Sequence, residues 1–175
     1  NYLSNKHKTI YCCDVYNKEY SSLGSYDSTK IEKLLLNTKK LNNDEINNIC
    51  LIWQKLLKEN DNIGAVWITN PTYEGVVSDI KTISEICKKY DVPFIVDEAH
   101  GSLWNFNSAL PTSALQLGAD AVVHSLHKTG GSMSQSSMLH IAKNSKLDIK
   151  KVEKALKLLH TTSPSLILLA SLDAA

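Results

Sequence analysis

The sequence contains no arginine; every one of its 19 basic residues is lysine. No planar fork of donors for bidentate binding of a carboxylate or phosphate can therefore come from this segment. Against 18 acidic residues the lysines leave a net charge of +1. That is far from the basic excess that favours a nucleic-acid or anionic-membrane partner, so neither is expected. Cysteine is sparse. Cys12, Cys13, Cys50 and Cys87 show no CxxC pairing and no metal-ligand spacing with histidine, so no metal site is expected and the thiols read as reduced, in a cytoplasmic protein. Long apolar runs are missing too. The longest, Leu166 to Ala170, is far too short to span a bilayer, and no signal peptide opens the chain. The chain begins at Asn1 rather than Met and stops inside the run Leu166–Ala175. Both ends read as cut, which predicts an internal portion of a longer protein.

What is present is ordinary for one globular domain: 175 residues, 43% hydrophobic and 21% charged. Abundant lysine and asparagine suggest an AT-rich genome rather than a function. The segment Thr9 to Val15 is β-branched and apolar and reads as a strand. A helix is expected over 28–36, a polar loop over 37–44, and a helix over 45–58 from apolar residues at Ile46, Ile49, Cys50, Trp53, Leu56 and Leu57. Short apolar strands then alternate with helices. Strands are expected at 65–69, 93–97, 121–125 and 137–141. Helices are expected at 77–90, 113–117 (ended by Gly118), 148–160 and 165–174. Strands that are apolar throughout and alternate with helices predict an α/β fold with a mostly parallel sheet and helices on both faces.

In open sheets of this kind ligands bind beyond the carboxyl ends of the strands. Three unusual segments fall there: Asn70-Pro-Thr-Tyr-Glu-Gly75, Asp97-Glu-Ala-His-Gly101 and Ser125-Leu-His-Lys-Thr-Gly-Gly131. If their strands are neighbours, Asp97 and Lys128 face one crevice, with Ser125, His100 and His127 beside them. Those groups suit pyridoxal 5′-phosphate (PLP): the lysine amine forms a Schiff base with the aldehyde, and the aspartate keeps the pyridine nitrogen protonated. Ser125 and His127 would bind the phosphate or hold the lysine. The alternative is that Asp97 and Lys128 are surface charges at strand ends.

Two other motifs compete. Phe94-Ile-Val-Asp-Glu-Ala-His100 matches the second motif of DEAH-box helicases, whose acids hold Mg²⁺. No GxxxxGK[ST] phosphate loop lies upstream and no arginine lies downstream, so an NTPase module is the weaker reading. Ser125-Leu-His-Lys-Thr-Gly130 imitates two serine β-lactamase boxes at once, but one lysine would fill both roles, so the match is accidental. His124 and His140 alternate with apolar residues and read as core or edge side chains; His7 and His160 read as surface. Trp53, Trp67, Trp104, Phe106 and Tyr73 are expected to pack in the core, although the last three follow the site segments and are candidates for a pocket wall.

The sequence resembles the large domain of the Orn/Lys/Arg decarboxylases of aminotransferase-like fold type I. The matching pieces are Ile68–Gly75, Phe94–Gly101, Leu110–Ala114, Gly118–Thr129, Gln135–His140, Thr161–Ser165 and Ala170–Ala175, in the family's order and covering nearly everything after Gly64. Before Gly64 the match is looser. The resemblance implies a PLP-dependent decarboxylase, a carbon–carbon lyase of lysine, ornithine or arginine in polyamine metabolism. It makes Lys128 the Schiff-base lysine, Asp97 the partner of the ring nitrogen, Ser125 and His127 the phosphate- and lysine-positioning pair, and His100 a pocket side chain near the cofactor. Lys128 or His127 would return the proton to the α-carbon. It also implies a homodimer or higher homo-oligomer and a C-terminal domain absent from residues 1–175. The family's ring-stacking histidine is expected upstream with the phosphate-binding turn; Asn5-Lys-His-Lys-Thr9 imitates its motif, but a strand follows His7 at once. A catalytically inactive relative, or another fold type I PLP enzyme, remains the alternative.

Overall fold

The computed structural model describes residues 10–13, 51, 53–60 and 63–175. A five-stranded sheet runs in chain order: β1 (Ile10–Cys13), β2 (Ala65–Thr69), β3 (Phe94–Asp97), β4 (Ala121–His124) and β5 (Met138–Ile141). The first four strands are parallel and β5 is antiparallel to β4. Helices flank the sheet: residues 53–59, then α1 (Ile80–Lys89), α2 (Leu126–Thr129), α3 (Ile149–Leu159) and α4 (Leu166–Asp173). This is the mostly parallel α/β architecture that the alternation of apolar strands and amphipathic helices predicts. The expected helix over 28–36, the loop over 37–44 and the Asn5–Thr9 segment lie outside the described residues.

Although the strands are apolar throughout, their burial alternates. Val66, Ile68, Phe94, Val96 and Val122 point into one core with Trp53, Leu57 and the Ile80, Ile83, Ile86 and Cys87 face of α1. Their neighbours Trp67, Thr69, Ile95, Asp97 and Val123 share the other face and are only half-buried. Register keeps each set in line: Thr69 pairs with Asp97, and Asp97 with Val123. Asp97 therefore belongs to the less covered face.

Local chemistry sets the ends. Helix α1 starts at Ile80, not Val77, because the Asp79 carboxylate caps it by accepting from Thr82 N at 3.1 Å. Asp148 and Ser165 cap α3 and α4 in the same way. The short helix expected over 113–117 is instead a set of turns. Ser113 O accepts from both Gln116 N and Leu117 N, and Gly118 at φ +100° closes the segment after one turn. The segment Ser125–Gly131 contains a helical turn, α2, which carries Lys128. Buried Asp120 joins three pieces: Oδ2 accepts from Phe94 N at 2.9 Å and Oδ1 from Lys146 N at 2.7 Å.

Candidate active site

The carboxyl ends of β2, β3 and β4 lie side by side and deliver Asn70, the turn Asp97–Gly101 and the helical turn α2. Asp97 is the last residue of β3 and its Oδ1 accepts from Ala99 N at 3.0 Å, which tightens the turn. The turn brings the His100 ring across to β4, where its Nε2 lies 3.4 Å from Lys128 Nζ. The lysine ammonium donates, so His100 Nε2 accepts. Partial burial lowers the His100 pKa below its ordinary value, the Lys128 charge lowers it further, and Asp97 opposes the shift. One imidazole thus senses both the carboxylate and the ammonium, and it is neutral at pH 7.

Helical turn α2 places the other two expected site residues. Ser125 sits at its N-cap with no side-chain capping bond, which leaves its hydroxyl for another partner. His127 Nδ1 lies 2.8 Å from Ser136 O. A carbonyl only accepts, so Nδ1 carries the proton and Nε2 is the free basic nitrogen. The Ser102 and Thr129 hydroxyls meet at 2.5 Å and tie the Asp97 turn to the lysine helix. Beside His100 opens a cavity of about 320 Å³ walled by Pro71, Thr72, Tyr73, Trp104 and Pro111; the Tyr73 ring meets the imidazole edge-on at 5.9 Å. The expectation that Tyr73 and Phe106 pack in the core is corrected: they are 85% and 82% exposed. Tyr73 sits on the loop past β2 and Phe106 ends a 3-10 turn past β3, and no described element covers either.

Asn70 opens one of the three unusual segments, but the sequence assigns it no role. It is fully buried, its backbone N–H donates to Asp97 O and its Oδ1 accepts from Ser78 N, both at 2.8 Å. Its Nδ2 has no partner among the described residues. A buried donor without a partner costs about 1–3 kcal/mol, so an acceptor at Asn70 Nδ2 would be stabilising. An asparagine at the end of an apolar strand, just before Pro71, was the available signal. Glu98 was noticed only as part of the helicase-like motif. It is fully buried on the face opposite Asp97 and accepts from Ser113 Oγ and Ala114 N, with His124 Nε2 at 2.8 Å. A glutamate sealed in this way has no access to a metal ion or an attacking water, which counts against the NTPase reading. His124 is a buried core side chain and His140 a half-buried edge one, their rings 4.8 Å apart.

The family model described as Orn/Lys/Arg decarboxylase, major domain, matches residues 39–175. The chain belongs to this family. It is 44% identical to an arginine decarboxylase of Bacillus cereus over 122 residues, which are 70% of this chain and 26% of that protein. It is 45% identical to an arginine decarboxylase of Halalkalibacterium halodurans over 70% of this chain and 25% of that protein. The chain thus spans about a quarter of the length of the curated relatives it matches. Among solved structures, the complex of SepCysS with the SepCysE N-terminal domain aligns with a TM-score of 0.44 and 19% identity, over 70% of this chain and 29% of that one.

Membership makes PLP the cofactor, and the residues gathered at the strand ends fit it. The half-buried carboxylate of Asp97, an exposed lysine, the uncapped Ser125 hydroxyl and the orphaned Asn70 amide together offer a negative charge, a nucleophile and two donors.

Proposed function

We propose that the full-length protein is a PLP-dependent decarboxylase of a basic amino acid (lysine, ornithine or arginine), and that this segment carries its cofactor lysine. The observation behind the proposal is the convergence at the strand ends, where His100 lies 3.4 Å from Lys128 Nζ and is acted on by Asp97 as well. In this reading Lys128 would hold the cofactor through its aldehyde, Asp97 would keep the ring nitrogen protonated, Ser125 and His127 would serve the phosphate and position the lysine, His100 would line the pocket beside the ring, and Asn70 Nδ2 would be a further donor. The cofactor supplies an electron sink for the pair left behind when CO₂ departs. Lys128 Nζ and His127 Nε2 are the two groups able to return a proton to the α-carbon. The neutral His100 avoids adding a positive charge next to Lys128. An amino-acid substrate, a homo-oligomeric assembly and cytoplasmic residence belong to the same reading. Among the described residues no helix is long and apolar enough to cross a membrane.

The test is borohydride reduction of the full-length protein with PLP, followed by peptide mapping and a CO₂-release assay on the three amino acids. A pyridoxyl label on Lys128, lost in Lys128→Ala together with turnover, is the expected result. A label retained in that variant, or carried by another lysine, removes Lys128 from the role. A label without turnover on any basic amino acid indicates an inactive relative or a different PLP reaction.

A further inference from the structure

We propose that Glu98 is a positioning residue for the cofactor, acting with His124 as a lock behind the sheet that fixes Asp97 relative to Ser125 and Lys128. The inference rests on the functional reading above.

Side chains alternate across a strand, so Glu98 and His124 lie on the buried face while Asp97, next to Glu98, lies on the other. Ser125 follows His124 directly and caps the helical turn that bears Lys128. The contact between Glu98 and His124, at 2.8 Å, therefore bridges the ends of the two strands that deliver the site. Strand pairing carries the constraint: β3 and β4 are held in register, and neighbouring residues project to opposite faces, so a fixed Glu98 sets the direction of Asp97 and a fixed His124 sets the path into Ser125. The lock is anchored further. Glu98 N donates to Val123 O at 2.9 Å, and its carboxylate accepts from Ser113 Oγ at 2.8 Å and Ala114 N at 2.7 Å. Glu98 is fully buried, so its carboxylate presents no surface to a substrate.

A second observation is independent of those bonds. A Cβ at Gly101 would stand 2.5 Å from Glu98 Cγ and 3.1 Å from the Trp104 ring. The Glu98 side chain folds beneath the Asp97–Gly101 turn so closely that only glycine fits above it. The side chain thus supports from below the turn that carries His100 to Lys128. This accounts for the glutamate and the glycine of Asp-Glu-Ala-His-Gly, which the chemistry at Asp97 and His100 leaves unexplained.

The test uses the full-length holoprotein and three variants. His124→Leu removes the cross-strand link but leaves Glu98 with Ser113 and Ala114. Gly101→Ala keeps every polar group and displaces Glu98 sterically. Glu98→Gln preserves shape and, with the other His124 tautomer, can keep the contacts. Each is measured for thermal midpoint, for PLP dissociation constant, and for visible circular dichroism per bound cofactor, which reports how firmly the ring is oriented. The expected result for His124→Leu and Gly101→Ala is a dissociation constant raised about tenfold, the effect of one lost buried bond to a charged group, with a weakened dichroic band at saturating PLP. Glu98→Gln is expected to lie near wild type on both. If the variants that fold differ from wild type only in thermal midpoint, Glu98 is a structural residue alone and the proposal is overturned. A wild-type protein with no pyridoxyl label on Lys128 overturns the functional reading and this inference with it.

Discussion

Asp97 and Glu98 are consecutive carboxylates with opposite surroundings, and the sheet alone separates them. Asp97 is half-buried at the strand end with one backbone donor; Glu98 is sealed beneath with its partners supplied. Asp97→Asn retains the shape but cannot hold a ring proton electrostatically. In full-length protein that still binds PLP, turnover should fall by about two orders of magnitude, on the scale of other preorganised electrostatic groups. Steady-state CO₂ release checks this, and wild-type turnover would remove Asp97 from the site. Cys87 provides a different residue-scale test. Burial, reinforced by the charge of Asp120, pushes its thiol up to about 12. The thiolate is the reactive form, so Cys87 should resist alkylation by iodoacetamide at pH 8 in the folded protein and react once the protein is unfolded, as read by mass spectrometry of its peptide.

Among elements, the joints matter more than the strands. Asp120 takes backbone donors from the start of β3 and from the segment after β5. Asp120→Ala strands the buried Phe94 N–H and removes the acceptor of the part-buried Lys146 N–H, and should destabilise by about 2 kcal/mol, measurable as a drop in the denaturant midpoint. Gly118 closes the turns after Ser113 at φ +100°, its carbonyl accepts from Ser84 Oγ at 2.8 Å, and an added Cβ would crowd Ser84 and Lys88. Gly118→Ala should therefore cost about 1–2 kcal/mol through backbone strain at that joint. A thermal midpoint equal to wild type would show that the turn can rearrange.

At the scale of the whole molecule, two histidines link stability to pH. His100 and His140 both have pKa values lowered chiefly by burial, with Lys128 adding at His100 and His124 at His140. A histidine whose folded pKa lies below its unfolded value makes the unfolded state the better proton binder, so stability falls as pH drops below 6.5 and the loss is complete once pH passes the folded value. His140→Gln should flatten the acid limb of a denaturation-midpoint profile between pH 7 and 5, and an unchanged slope would count against this assignment. The outermost helices carry apolar side chains in the open: Leu159 is 85% exposed, Leu166 78% and Ile167 69%. As an isolated piece, residues 1–175 should bind a hydrophobic dye and show no CO₂ release with PLP and lysine, ornithine or arginine, since they span about a quarter of their relatives' length. Turnover like that of a full-length enzyme would shift attention to His7 as a ring-stacking residue.

The strands, the helices and the end of the sheet that bears the site were legible in the sequence because they depend on periodicity and on local chemistry. Ala65–Thr69 and Phe94–Asp97 are apolar and β-branched, α1 repeats its isoleucines at helical spacing, and Asp79 and Gly118 mark ends through their own side chain or its absence. Asp97, His100, Ser125, His127 and Lys128 stand out as candidates for the same reason, since each lies at or just past the carboxyl end of a strand. Tertiary structure alone decided which groups meet. The pairing of Glu98 with His124 joins residues 26 positions apart, and no pattern along the chain records it. The isolation of Asn70 Nδ2 depends on what packs around it, and the exposure of Tyr73 and Phe106 on which layer fails to reach them. The single imidazole set between Asp97 and Lys128 depends on two strands lying side by side. A strand's sequence fixes which residues share a face, but contacts between strands exist only once the register has formed.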